Sequence, residues 1–192
     1  MTDPLIKIKK QLESYLETPL ANSPQLLEML MLLQKHNYLP NKVSVGIPNE
    51  GSGEYDPNTR KMMFSGNVGN RENLVTHEMS HAVSDMMDKA WIGLDIKLKK
   101  GYVPSPDEQR FYEGYLKLMP TKSKVPNDAS TYKKKEDAIY RFGDQEAQAF
   151  GIGNMYGSPV NPTLPHYDTT MATEFNLLSD LFDRSGLNPY IK

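Results

Sequence analysis

The residues of this chain whose types and spacing most directly suggest chemistry are His77, Glu78 and His81. Residues four apart on an α-helix lie one turn above each other on the same face, because each residue advances the helix by about 100°. Two imidazoles placed in this way can hold one zinc ion between them. Glu78 shares the face of His81, where a carboxylate can take a proton from a zinc-bound water. The spacing predicts a zinc site with Glu78 as general base.

The residues around the motif predict a helix from Asn70 to Trp91. Asn70 can cap its N-terminus, and Glu72 suits the positive end of the helix dipole. Apolar residues recur at spacings of three and four, which predicts a face packed into the core: Val75, Met79, Ala82, Val83 and Met86. The alternative is a helix with two surface histidines and a salt-bridging glutamate. The helical context that the motif requires favours the metal site.

Composition limits the function classes. The chain has 192 residues, which fit a single domain over 1–192. A net charge of −2 gives no argument for binding nucleic acid or an anionic membrane. There is no cysteine, so a metal must rest on His, Asp or Glu. No membrane span or secretory signal is present, which predicts a soluble protein that is cytoplasmic or exported without a cleavable signal. The oligomeric state is left open.

The segments before the motif predict two helices and a small sheet. The first helix runs from Asp3 or Pro4 to Glu17, and the second starts at Ser23-Pro24 and ends near His36. Alternation from Lys42 to Ile47 predicts a strand, and residues 53–65 predict a hairpin. We expect this sheet to be antiparallel, with residues 61–65 on an edge that could pair with an extended peptide.

The segments after the motif are mostly helical in pattern. Residues 94–98 alternate, which is typical of a short strand or of a solvated stretch. The later elements are expected as a helix from Ser105 to Met119, a lid or connecting loop from Thr121 to Lys135, a helix from Asp137 to Asn154, a loop from Gly157 to Pro165 and a last helix from Thr169 or Thr170 to Gly186.

A catalytic zinc site needs a third protein ligand, with the fourth position left to water. In the longer motif H-E-x-x-H-x-x-G-x-x-H a third histidine follows directly, but here Ser84 and Met87 occupy the positions of its Gly and last His. The third ligand must therefore be a distant Asp, Glu or His. Glu146 is our choice. It lies on a predicted helix beside the small residues Ala147 and Ala149, which allow close packing against the histidine helix.

Two segments of the chain resemble a known enzyme group. Residues 75–85 are similar to the active-site helix of thermolysin-like peptidases, and Glu146-Ala147 is similar to the Glu-Ala of their second helix. The combination is that of the gluzincin metallopeptidases. This resemblance implies an α+β, zincin-like fold in which a small antiparallel sheet and an active-site helix precede a mostly helical remainder. It also implies one Zn²⁺ per chain, with these roles: His77, His81 and Glu146 as ligands and Glu78 as base.

The sequence departs from that pattern in two places. His81 and Glu146 are 65 positions apart, so an insertion must separate the two helices. Phe150 stands where those enzymes have an aspartate that orients a zinc histidine, so Asp144, Asp85 or a backbone carbonyl must take that part. Residues 146–151 are also similar to a motif of compact bacterial effector peptidases, which agrees with a possible secreted effector.

The expected activity is zinc-dependent hydrolysis of a peptide bond in a protein or peptide substrate, without nucleic-acid or membrane partners. The developing oxyanion needs a hydrogen-bond donor, and the candidates are His166, Tyr167 and Tyr156. Two alternatives stay open: a zinc hydrolase acting on a non-peptide amide, and a zinc-binding regulatory module without turnover. Glu78 argues against the module, because a purely structural site has no use for that carboxylate.

Overall fold

A computed structural model describes residues 3–48, 51–118, 149 and 169–189. The helices with described bounds are α1 (Pro4–Leu16), α2 (Pro24–Lys35), α3 (Arg71–Lys99), α4 (Pro106–Leu118) and α5 (Thr169–Ser185). A short 3-10 helix, Leu20–Asn22, connects α1 to α2. The strands are β1 (Lys42–Gly46), β2 (Gly53–Asp56) and β3 (Lys61–Ser65). This set of elements confirms the α+β class.

The three strands form one mixed sheet in the order β1-β3-β2. The hairpin prediction is confirmed, since β2 and β3 are antiparallel neighbours. β1 runs parallel to β3, so the prediction of an antiparallel sheet was wrong for this strand. A hairpin is specified by its own turn residues. The direction of β1 depends instead on distant contacts, such as the hydrogen bond from the Val43 backbone N–H to the side chain of Gln11 at 3.1 Å.

β3 lies at the centre of the sheet, which corrects the expectation that residues 61–65 form an edge. Both of its sides are hydrogen-bonded to other strands. Met62 and Phe64 are fully buried, and Tyr15 of α1 stacks on Phe64 with 4.7 Å between ring centroids. β3 therefore has no side left to pair with a peptide. Within the described strands, the outer edges of the sheet belong to β1 and β2.

α3 is the longest of the described helices, and it contacts each of the others as well as the sheet. Asn70 caps it, accepting a hydrogen bond from the backbone N–H of Asn73 at 3.0 Å as the sequence predicts. The predicted apolar face is confirmed by residues with no exposed surface: Val75, Met79, Ala82, Val83 and Met86. The helix continues beyond Trp91 to Lys99, so the short strand considered for residues 94–98 is wrong. Leu94 and Leu98 are four apart and share a helix face that packs on the core.

The other described helices also pack on α3. α4 packs on α5, where the rings of Phe111 and Phe182 lie 5.5 Å apart. α2 ends next to His36, as predicted, and Nε2 of His36 lies 3.0 Å from Oδ1 of Asp183 in α5. α5 ends at Ser185, and Gly186 follows it with a φ of +68°, the left-handed conformation that glycine commonly adopts just after a helix.

Several predicted segments lie outside the described residues. These are the loop from Thr121 to Lys135, the loop from Gly157 to Pro165 and most of the helix from Asp137 to Asn154. Of that helix only Ala149 is described, and it is helical and buried. None of the described helices is long and apolar enough to cross a membrane.

Candidate metal centre

The two histidines of the motif meet on one face of α3. The Nε2 atoms of His77 and His81 are 3.1 Å apart. Their rings are nearly perpendicular, at 80°, with 4.7 Å between centroids. His77 is buried with 7% of its surface exposed, and His81 is partly buried. The four-residue spacing on a helix produces this approach, as the sequence predicts.

The separation of the two nitrogens fits a shared metal ion. Two ligands of a tetrahedral zinc ion, each about 2.0–2.1 Å from the metal, lie about 3.3–3.4 Å apart. The 3.1 Å between the Nε2 atoms of His77 and His81 is close to that value. The same distance also permits a hydrogen bond between the rings when one nitrogen is protonated and the other is not. The geometry thus fits a metal-binding pair and also a hydrogen-bonded pair.

Glu78 lies beside this pair in a buried position. Only 4% of its surface is exposed. Its side chain lies directly against Gly53 of β2, the outer strand next to α3. The carboxylate is therefore enclosed between α3 and β2.

One turn after His81, Asp85 forms a buried hydrogen-bond cluster. Its Oδ2 accepts hydrogen bonds from Tyr38 Oη at 2.6 Å, Tyr55 Oη at 3.0 Å and Lys89 Nζ at 3.1 Å. Burial raises the pKa of Tyr55, and the charge of Asp85 raises it further, so Tyr55 keeps its proton and donates. The bond from Tyr55 fastens β2 to α3, and the bond from Tyr38 fastens the segment before β1 to the same helix. That Asp85 orients a zinc histidine stays a prediction.

The other predicted site residues lie outside the described residues. They are the third ligand Glu146 and the oxyanion donors His166, Tyr167 and Tyr156. Among the described residues, no group of three or more His, Asp or Glu side chains could hold a metal ion. The described part of the chain therefore contains two candidate nitrogen ligands, and their binding of a metal and the third ligand both stay predictions.

Sequence reasoning missed the contribution of β2 to this site. Gly53 and Tyr55 were interpreted only as parts of a hairpin. A glycine inside a strand often marks a close approach by another group, and that signal was present at Gly53. The partners of Tyr55 have no local signature, because Asp85 lies 30 positions further along the chain.

A separate cleft of about 870 Å³ lies between α2 and α5. Met29, Leu32, Asp180 and Val83 are among its lining residues. Val83 follows His81 by two positions on α3, which places it about 200° around the helix axis from that histidine. The cleft thus lies on the side of α3 away from His81. Its volume therefore does not mark the position of the candidate metal centre.

No protein-family model, curated protein or solved structure matches this chain.

Proposed function

We propose that this protein is a zinc metallopeptidase of the gluzincin type with a zincin-like fold. The supporting observation is the pair of Nε2 atoms of His77 and His81, 3.1 Å apart on one turn of α3. The buried carboxylate of Glu78 lies in the same turn. Glu146 is the proposed third ligand of a single zinc ion.

The residues have separate roles in the proposed reaction. His77 and His81 would hold the metal through Nε2, and a bound zinc ion would supply Lewis acidity. Glu78 would accept a proton from a water molecule as its oxygen bonds to the carbonyl carbon. It would later deliver that proton to the amine that leaves when the C–N bond breaks. His166 and Tyr167 are proposed to donate hydrogen bonds to the negative charge that develops on the carbonyl oxygen.

The position of Glu78 favours a hydrolase over a binding module. Burying a carboxylate costs free energy unless charged or polar groups compensate for the lost water. A protein that needs zinc only for folding gains nothing from a carboxylate beside its ligands. The proposed substrate is a protein or peptide, and a non-peptide amide is the alternative that the same chemistry allows.

The direct test of the activity is Glu78→Gln. We expect this variant to keep the zinc content of the wild type and to lose hydrolysis of a randomised fluorescence-quenched peptide library, because an amide cannot accept the proton. General-base catalysis contributes about 10²–10⁴-fold, so the loss should be at least of that order. Glu28→Gln is the matched control, since Glu28 is exposed on α2. Equal hydrolysis by the wild type and Glu78→Gln would reject the proposed role.

The test of the ligand set is elemental analysis of the purified proteins. His77→Ala, His81→Ala and Glu146→Ala should each lower the affinity for zinc, because each removes one of three protein ligands. His36→Ala is the control, since His36 is not a proposed ligand and its ring contacts Asp183 of α5. Stoichiometric zinc with unchanged affinity in Glu146→Ala would show that the third ligand is another residue.

A further inference from the structure

Gly53 begins β2 and pairs with Phe64 of β3. Glycine weakens a strand, because it loses more backbone freedom on folding than other residues do and contributes no side chain to packing. The glycines with left-handed φ in the described chain are Gly51, Gly101 and Gly186, so the backbone of Gly53 is open to other residue types. A different reason must account for the missing side chain.

The reason is the space occupied by Glu78. A Cβ atom built on Gly53 would lie 2.6 Å from Oε1 of Glu78 and 3.0 Å from its Cγ. The same atom would lie 2.8 Å from Cδ1 of Leu74. Both 2.6 Å and 2.8 Å are far inside the ordinary separation of non-bonded atoms, about 3.5–4.0 Å for two carbons. Any side chain at position 53 therefore displaces Glu78, Leu74 or the strand.

The side chains of Glu78 and Leu74 give way before the strand does, and the shorter contact is with the carboxylate. β2 is held by its hydrogen bonds to β3 and by the bond from Tyr55 to Asp85. The Oε1 atom stands at the end of a side chain with three rotatable bonds, so its movement costs less than a shift of the strand. A methyl group at position 53 would thus leave the fold intact and move the carboxylate.

We propose that Gly53 is a positioning residue for Glu78: its missing side chain provides the space in which the carboxylate is held beside His77 and His81. This inference rests on the proposed function for its catalytic consequence. Its structural content, the position of the carboxylate, does not depend on hydrolysis. A displacement of about 1 Å in a reacting group can lower a rate about 10²-fold.

The test compares Gly53→Ala with the wild type in three measurements. We expect unchanged zinc content, a kcat lower by about 10–100-fold with little change in KM, and a crystal structure in which the Glu78 carboxylate has moved while the two histidine rings have not. Gly114→Ala is the matched control. Its added Cβ would lie 2.8 Å from Cδ2 of Leu178, an equally close contact with a flexible side chain on a different helix. This control should keep the wild-type kcat.

A double variant separates the two contacts at position 53. Gly53→Ala with Leu74→Ala relieves the contact with Leu74 and keeps the contact with Glu78. We expect it to keep the low kcat. Recovery of the wild-type kcat in the double variant would overturn the inference, because the defect would then come from Leu74.

The failures of the two proposals are distinguishable. A wild-type protein that hydrolyses nothing in the peptide library would contradict the proposed peptidase function. The position of the Glu78 carboxylate in the two crystal structures decides the role of Gly53 separately. An unmoved carboxylate in Gly53→Ala would refute the positioning role even if the wild type proves active.

Discussion

Removal of the Tyr55 hydroxyl tests whether the Asp85 cluster fastens β2 to α3. Tyr55 Oη donates to Oδ2 of Asp85 at 3.0 Å, and the same oxygen accepts from Tyr38 and Lys89. Asp85 is buried, with 8% of its surface exposed, so water replaces a lost donor poorly. A hydrogen bond to a charged group contributes about 1.5–3 kcal/mol. We expect Tyr55→Phe to lower the free energy of unfolding by about that amount.

The assay is urea unfolding followed by far-UV circular dichroism, with an unchanged m-value and a lower midpoint. Tyr112→Phe is the matched control. Tyr112 also donates to an aspartate, Asp95, at 2.9 Å, but this aspartate pairs with the exposed Lys99. Water can replace that donor, so the control should lose less stability than Tyr55→Phe. Equal losses in the two variants, or no loss in Tyr55→Phe, would refute the account of the cluster.

Two pH predictions follow from shifted pKa values. Burial and the charge of Asp85 raise the pKa of Tyr55 in the folded protein. The contribution of the protonated Tyr55 to stability is therefore complete below the ordinary tyrosine pKa of about 10 and is lost as the pH rises further. The free energy of unfolding should fall more steeply above pH 10 in the wild type than in Tyr55→Phe. Burial alone would raise the pKa of Asp183, but hydrogen bonds from Lys35 and His36 hold this pKa below its ordinary value. The stability that the ionised Asp183 contributes is therefore lost as the pH falls. Asp183→Asn should lower stability by about 1 kcal/mol at neutral pH, since the pair is partly exposed, and thermal unfolding should show this difference vanishing below about pH 4.

Local signals in the sequence predicted most of the helices. Three of these signals act within a few residues, so they can be predicted without knowing the fold. They are Asn70 before the histidine helix, Pro24 in the first turn of α2 and Gly186 after α5. The approach of His77 to His81 is equally local, because helix geometry alone places them one turn apart.

The features that escaped prediction depend on residues far apart in the chain. No short turn joins β1 to β3, so no turn sequence predicts that these two strands pair in parallel. The contact of Gly53 with Glu78 exists only once β2 packs on α3. The alternation at residues 94–98 gave the wrong element, because Leu94 and Leu98 also satisfy the four-residue spacing of a helix.

The measurement that tests the central claim most directly is anomalous diffraction at the zinc absorption edge, from crystals of the full chain grown with zinc. The account predicts one zinc ion per chain, about 2.0–2.1 Å from Nε2 of both His77 and His81, with Glu146 completing the protein ligands. A zinc peak at a different place in the molecule, or no peak beside the two histidines at stoichiometric zinc, would contradict it.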